Sequence, residues 1–116
     1  MERRKQVRFP VRFKSSFSSA NLVAGEGTLN DLSLMGCSVL STSEAKVGTV
    51  LQLQVCVSDN EAPISIAQAV VRWIRGKSFG CEFQTLNSDG WVRLQQVINN
   101  LEKEPYERAA DETEAA

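Results

Sequence analysis

Three arginines near the start of the chain, Arg3, Arg4 and Arg8, are the residues best suited to binding chemistry. A guanidinium group is planar and carries a fork of N–H donors, which matches two oxygens of a phosphate or the O6/N7 edge of guanine. Residues 1–14 contain six basic side chains and one acidic side chain, a net charge of +5, so we expect an anion to bind at this end. The alternative is a solvated basic tail that has no specific ligand.

A second set of candidate residues lies where two predicted strands meet, and consists of Asp31, Ser33 and Gly36. Residues two apart in a strand project to the same face, so Asp31 and Ser33 are expected to converge on one site. Gly36 can adopt a positive backbone angle in a tight turn and lets other groups approach the backbone closely. Asp, Ser and Gly are also the usual residues of turns, so this group has a purely local alternative role.

The residues that most often carry out catalysis or bind metals are scarce in this chain. Histidine, the commonest general base and metal ligand, is absent, and no Gly-x-Ser-x-Gly nucleophile pattern occurs. The cysteines Cys37, Cys56 and Cys81 are far apart without a Cys-x-x-Cys pair, so we expect reduced, mostly buried thiols rather than disulfides or a zinc site. We therefore expect a protein that is not an enzyme and has no cofactor.

Hydrophobic periodicity predicts an all-β fold with one C-terminal helix. Alternating residues bounded by turn residues predict six strands, over residues 11–18, 28–33, 37–41, 50–57, 64–75 and 78–84. The clearest alternation is in the fourth segment, which places on one face Leu51, Leu53, Val55 and Val57. Closure removes the exposed edges of a sheet, so we expect a closed or nearly closed antiparallel barrel.

An amphipathic helix is predicted after the last strand, because apolar residues recur there at intervals of three and four: Trp91, Leu94, Val97, Ile98 and Leu101. Asn87 or Ser88 can cap its first amides. We expect the helix to cover one opening or side of the barrel, with Trp91 in the core. Pro105 is expected to end it, because proline lacks the N–H that a continuing helix needs.

Charge and pattern divide the chain into three parts. We expect residues 1–10 to form a flexible basic arm and residues 11–103 to form one domain, made of the barrel and the helix. Residues 104–116 contain five acidic side chains and one arginine, a net charge of −4, and are expected to form an acidic, mobile tail. No apolar run approaches the roughly 18 residues of a membrane span and no signal peptide is evident, so the expected location is the cytoplasm.

Arg4-x-x-x-Arg8 and Asp31-x-Ser33-x-x-Gly36 resemble, in residue type and in order, the RxxxR and DxSxxG signatures of the PilZ domain family. The resemblance covers about residues 2–102 and implies a six-stranded antiparallel PilZ-type β-barrel plus one amphipathic C-terminal helix. It also implies a ligand, the bacterial second messenger cyclic di-GMP, whose two phosphates and two guanines suit arginine. On this basis Arg4 and Arg8 are the RxxxR pair, and Arg3 is the additional arginine often found before it.

The resemblance also implies roles for the second motif. Asp31 would accept hydrogen bonds from N1–H and N2–H of a guanine, and Ser33 would donate to a phosphate or a base. Gly36 would let the backbone approach the ligand closely. These roles require the two motifs to lie side by side in the fold.

Trp73 is a further candidate, as a platform on which a guanine stacks. Its predicted strand face carries mostly small residues, which would leave the indole prominent: Ser65, Ala67, Ala69 and Val71. The alternative is a place in the core, which is the more frequent position of a tryptophan in the middle of a strand.

Together these features predict a stand-alone, non-enzymatic cyclic di-GMP receptor. Its arm would order over one ligand or a stacked pair of ligands and present a new surface to an unidentified effector protein. We expect a monomer or weak dimer without a membrane span.

Two other functions remain open at this point. A nucleotide-free PilZ adaptor, of the kind involved in type IV pilus assembly or motility, would usually lack the arginine pair. A small oligonucleotide-binding barrel would use the basic arm and Trp73. Against the second, the basic residues cluster at one end and the acidic tail would repel a polyanion, so nucleic acid is not the expected partner.

Overall fold

Six strands and one helix make up the computed structural model, which describes residues 7–19, 24–43 and 45–115, with side chains as far as Lys103. The elements are β1 Phe9–Ser18, β2 Ala24–Leu32, β3 Gly36–Leu40, β4 Val50–Cys56, β5 Ile64–Arg75, β6 Ser78–Thr85 and α1 Ser88–Ala115. All six predicted strands are confirmed. The largest difference is at β2, which begins four residues before the predicted position at residue 28.

The strands close into a barrel in which the neighbours follow the order β1-β2-β3-β6-β5-β4. Every pair in the barrel is antiparallel, and β1 completes the circle by pairing with both β2 and β4. The predicted closure is therefore confirmed. Every strand has a partner on both sides over at least part of its length, so closure covers most of the sheet edges.

The interior of the barrel holds one hydrophobic cluster, to which every strand contributes. In β4, Leu51, Leu53 and Val55 all point inward, as the alternation predicts. Phe17 and Phe79 belong to the same cluster, and their rings meet edge to face with centroids 5.2 Å apart. The outer face of β4 carries the residues that alternate with its inward positions: Gln52, Gln54 and Cys56.

The outer face of β5 does not follow simple alternation, because the register shifts between Gln68 and Ala69 and again between Val71 and Trp73. Ala69 and Val71 are fully buried inside the barrel. The prediction that Trp73 shares a face with these two residues is therefore wrong. The second irregularity places both Arg72 and Trp73 on the outside, since a bulge adds one residue and re-aims the side chains that follow it.

Helix α1 packs against β5 and lies at the end of the barrel where β5 begins, since Arg93 Nη1 donates to the carbonyl of Pro63 just before that strand. Asn87 caps it: its side-chain oxygen accepts a hydrogen bond from the Gly90 N–H at 2.7 Å. Leu94 and Ile98 are buried in the core cluster. Trp91 is 38% exposed, so its predicted place in the core is wrong; the buried part of the apolar stripe begins one turn later.

The helix also continues through Pro105 to Ala115, where the sequence predicts an earlier end. Proline lowers helix stability by about 3 kcal/mol relative to alanine. The segment after it is rich in alanine and glutamate, which are strong helix formers and favour continuation. The side chains of the predicted mobile tail, residues 104–116, lie outside the described part of the structure.

Replacing Asn87 by alanine should lower the free energy of unfolding by about 1 kcal/mol, because the first turn of α1 loses its side-chain acceptor. Urea denaturation followed by circular dichroism measures the change. Asn99→Ala is the matched control, since Asn99 lies exposed within the helix and caps nothing. Equal stability of the two variants would show that the cap has no energetic role.

Candidate ligand-binding site

The two motifs meet at an ion pair between Arg8 and Asp31. Arg8 Nη1 donates to Asp31 Oδ1 at 2.5 Å, and the same oxygen accepts the backbone N–H of Ser38 at 3.1 Å. The pairing of Phe9 with Leu32 at the start of β1 brings Arg8 to this corner. Both side chains remain partly exposed, Arg8 at 39% and Asp31 at 31%, so the pair is accessible to a ligand.

Ser33 shapes the turn that follows Asp31. Its hydroxyl is fully buried, accepts the N–H groups of Met35 and Gly36, each at 3.1 Å, and donates to the Gly36 carbonyl at 3.2 Å. β2 ends at Leu32, and the bends that follow lie at Leu34 and Met35, closed by the Ser33 N–H donating to the Gly36 carbonyl at 2.8 Å. The shared face of Asp31 and Ser33 remains a prediction. The predicted contact of Ser33 with a ligand stays a prediction.

Gly36 is required by packing rather than by a positive backbone angle. Among the residues that the structure describes, the glycines with positive φ are Gly48 at 92° and Gly76 at 62°. A Cβ atom on Gly36 would overlap the carbonyl oxygen of Cys81 in β6. The absent side chain therefore lets the turn lie against β6, where the Met35 carbonyl accepts the N–H of Phe83 at 2.8 Å.

Trp73 lies half-buried on the outside of the barrel. Its indole rests on Gly80 of β6, where a Cβ atom would overlap the ring. The guanidinium of Arg75 lies over the indole, 5.2 Å from the ring centroid. The indole is therefore held flat against the sheet rather than projecting freely into solvent.

A pocket of about 280 Å³ connects the indole with the Arg8 corner. We call it the indole pocket; it is lined by Arg8, Met35, Arg72, Trp73, Gly80, Cys81 and Glu82. Arg72 and Glu82 form an ion pair on its wall, with Arg72 Nε donating to Glu82 Oε1 at 2.7 Å. The pocket thus combines an aromatic surface, two guanidinium groups and one carboxylate.

Four of the predicted site residues lie on or beside one surface: Arg8, Asp31, Gly36 and Trp73. Ser33 supports that surface from beneath. Arg3 and Arg4 lie outside the described residues, so their predicted roles stay predictions. Sequence reasoning missed Arg72 and Glu82, since only the bulge in β5 and the β5–β6 register place them here.

Two thiols lie inside the barrel beneath this surface. Cys37 and Cys81 are paired across β3 and β6 and are both buried, whereas Cys56 is half-buried. The side-chain hydrogen bond with Cys81, together with burial, raises the pKa of Cys37 well above its ordinary value. Cys37 is therefore protonated at neutral pH and fills space as an apolar side chain.

A comparison with protein-family models supports the resemblance found in the two motifs. Residues 2–100 match the model of the PilZ domain. The chain belongs to the PilZ domain family. A comparison with curated proteins gave no significant match.

Solved structures of PilZ proteins share the fold. One is the crystal structure of YcgR in complex with c-di-GMP from Escherichia coli, with 22% identity and a TM-score of 0.77 over 96% of this chain. This chain spans 51% of the length of that YcgR chain. The separate PilZ domain of YcgR with c-di-GMP has 21% identity and a TM-score of 0.71, with 94% of this chain and 98% of that chain covered.

A third similar structure is the MrkH–c-di-GMP complex of K. pneumonia. It has 18% identity and a TM-score of 0.75, and the match covers 93% of this chain and 56% of that chain. At these identities the likeness establishes the fold, a six-stranded PilZ barrel followed by a helix.

The described part of this PilZ chain lacks two kinds of feature. No helix there is both long and apolar enough to cross a membrane. Within the same residues, no group of three or more histidine, cysteine or acidic side chains is arranged to hold a metal ion.

Ser33→Ala should lower the free energy of unfolding of the unliganded protein by about 1–3 kcal/mol, because it leaves two N–H groups in the turn without their acceptor. Chemical denaturation measures the loss. Ser65→Ala, at an exposed position of β5, is the control and should change stability little. Wild-type stability of Ser33→Ala would contradict the structural role of this hydroxyl.

Proposed function

We propose that this PilZ protein is a non-enzymatic receptor for cyclic di-GMP that acts in the cytoplasm. The observation that carries the proposal is the ion pair between Arg8 and Asp31, which joins the RxxxR and DxSxxG motifs beside the indole pocket. A ligand with two phosphates and two guanines offers partners for the arginines, the carboxylate and the indole at the same time.

The Arg8–Asp31 pair is suited to exchanging partners. A partly exposed ion pair contributes only about 0–1 kcal/mol to stability, so its rearrangement around a ligand costs the fold little. Arg8 Nη1 binds Asp31, and the other donors of the guanidinium are available for a phosphate or for guanine O6 and N7. Asp31 can accept from guanine N1–H and N2–H with its remaining lone pairs.

Trp73 supplies the apolar part of the proposed interaction. Stacking of a base on an aromatic side chain contributes about 1–3 kcal/mol. Arg75 lies over the same ring, so an arriving guanine either displaces the guanidinium or stacks beside it. One stack and two bidentate contacts of about 1–3 kcal/mol each sum to about 3–9 kcal/mol, and the upper end of this range corresponds to the roughly 8 kcal/mol of micromolar binding.

The proposed output begins with the arm that carries Arg3 and Arg4. Binding of their guanidinium groups to the ligand would fold residues 1–8 over the indole pocket and create a surface that is absent without ligand. An effector protein would bind that surface. Ordering of a charged segment is an established switching mechanism, and its entropic cost reduces the affinity for the ligand.

Arg8→Ala and Asp31→Ala should each abolish measurable binding of cyclic di-GMP, because each removes one side of the joined motifs. Titration calorimetry measures the affinity and also the number of ligands per chain. The melting temperature of free Arg8→Ala should change little, given the small contribution of an exposed pair. Asp31→Ala also removes the acceptor of the Ser38 N–H, so its melting temperature should fall somewhat more.

Arg12→Ala is the matched control for this experiment, since Arg12 is an exposed arginine of β1 outside the indole pocket. It removes the same charge and should retain most of the affinity. Wild-type binding by both Arg8→Ala and Asp31→Ala would refute the assignment of the site.

Cyclic di-GMP should slow amide hydrogen exchange within residues 1–8, because the arm becomes hydrogen-bonded around the ligand. Mass spectrometry of the N-terminal peptide with and without ligand measures the protection. Arg4→Ala should lose this protection, and peptides from β4, remote from the indole pocket, serve as the internal reference. Binding without protection of the arm would leave the receptor intact but contradict the arm mechanism.

A further inference from the structure

The bulge in β5 directs two neighbouring side chains into the indole pocket. In a regular strand Arg72 and Trp73 would point to opposite faces, yet both lie on the outer surface. Trp73 forms the aromatic wall, and Arg72 reaches across to Glu82 on β6. Bulges are frequent next to functional sites, where they re-aim a side chain, and this one brings a charged pair beside the stacking surface.

Arg72 and Glu82 use only part of their hydrogen-bonding capacity on each other. The contact is between Arg72 Nε and Glu82 Oε1 at 2.7 Å. Within the residues that the structure describes, no protein acceptor meets the two terminal amino groups of Arg72, and no donor meets Glu82 Oε2. The pair therefore presents donors and an acceptor side by side at the pocket wall.

We propose that Arg72 and Glu82 act as one unit that selects guanine for the base stacked on Trp73. The inference rests on the proposed function and adds two specificity-determining residues to it. Glu82 accepts from N1–H and the N2 amino group of the base. Arg72 donates to O6 and N7 on the adjacent edge.

The same arrangement disfavours adenine. At the position of guanine O6, adenine carries an amino group, whose hydrogens would face the donors of Arg72. Adenine also has an unprotonated N1 and no N2 amino group, so Glu82 would face an acceptor.

The ion pair between Arg93 and Glu61 shows how a pair that stabilises the surface differs from the Arg72–Glu82 pair. Arg93 binds Glu61 through Nη2 at 3.2 Å and donates from Nη1 to the Pro63 carbonyl at 3.1 Å, so this pair ties α1 to the loop before β5. Arg72 has no such second protein partner among the described residues. The negative charge of Glu82 beside a ligand with two phosphates is unfavourable to the extent that Arg72 does not offset it, and binding of the donor edge of a base compensates this cost.

Glu82→Gln tests the proposal by titration of the full chain with cyclic di-GMP and with cyclic di-AMP. The variant should bind cyclic di-GMP about 5- to 150-fold more weakly, the range for losing one bidentate base contact, and should not lose affinity for cyclic di-AMP. Arg72→Gln should also reduce the preference for guanine. Glu61→Gln removes an equal charge from the Arg93 pair and should bind both ligands as the wild type does.

Unchanged or tighter binding of cyclic di-GMP by Glu82→Gln would overturn the inference, because removing a carboxylate that makes no contact can only reduce repulsion of an anion. An equal loss for both ligands would overturn it as well. If the wild type binds cyclic di-GMP, either result leaves the proposed function in place. Failure of the wild type to bind would refute the proposed function and this inference together.

Discussion

Closure of the barrel through β1 is the constraint on which the site depends. Because β1 pairs with both β2 and β4, its first residue is fixed opposite Leu32 at the end of β2. Arg8, immediately before that residue, then lies within hydrogen-bonding distance of Asp31. Two motifs that are separated along the chain thus become neighbours through the register of the sheet, before any ligand arrives.

Local departures from regular strand geometry build the rest of the site. Gly36 and Gly80 allow close approach at two points, one for the β2–β3 turn and one for the indole of Trp73. The bulge in β5 adds Arg72 to the same surface. The bulge interrupts regular pairing where it occurs, while the buried core cluster continues on the inner face of the same strand.

Alternation and turn residues are local signals, so they were sufficient to predict the six strands, and the removal of exposed edges favoured closure. The meeting of Arg8 with the Asp31 region was implied only by the resemblance of the two motifs to the PilZ signatures. Alternation placed Trp73 on the same face as Ala69 and Val71 because the bulge between Val71 and Trp73 reverses the side chains that follow it, and nothing in the residue types indicates this shift. Trp91 fits the spacing of the apolar stripe but lies in the first turn of α1, whereas the buried residues of the stripe begin at Leu94. The pairing of Arg72 with Glu82 depends on how β5 and β6 are aligned with each other. The spacing of residues within a single strand does not reveal that alignment.

Only Leu86 and Asn87 separate the last strand from the helix, so the direction of α1 is tied to that of β6. The segment from Ser88 to Lys103 comprises sixteen residues and is about 24 Å long at about 1.5 Å per residue. A tilt of about 5° at its base would therefore move its far end by roughly 2 Å, by trigonometry on that length. A small change in the direction of β6, the strand that carries Gly80 and Glu82, would therefore produce a much larger displacement at the far end of α1.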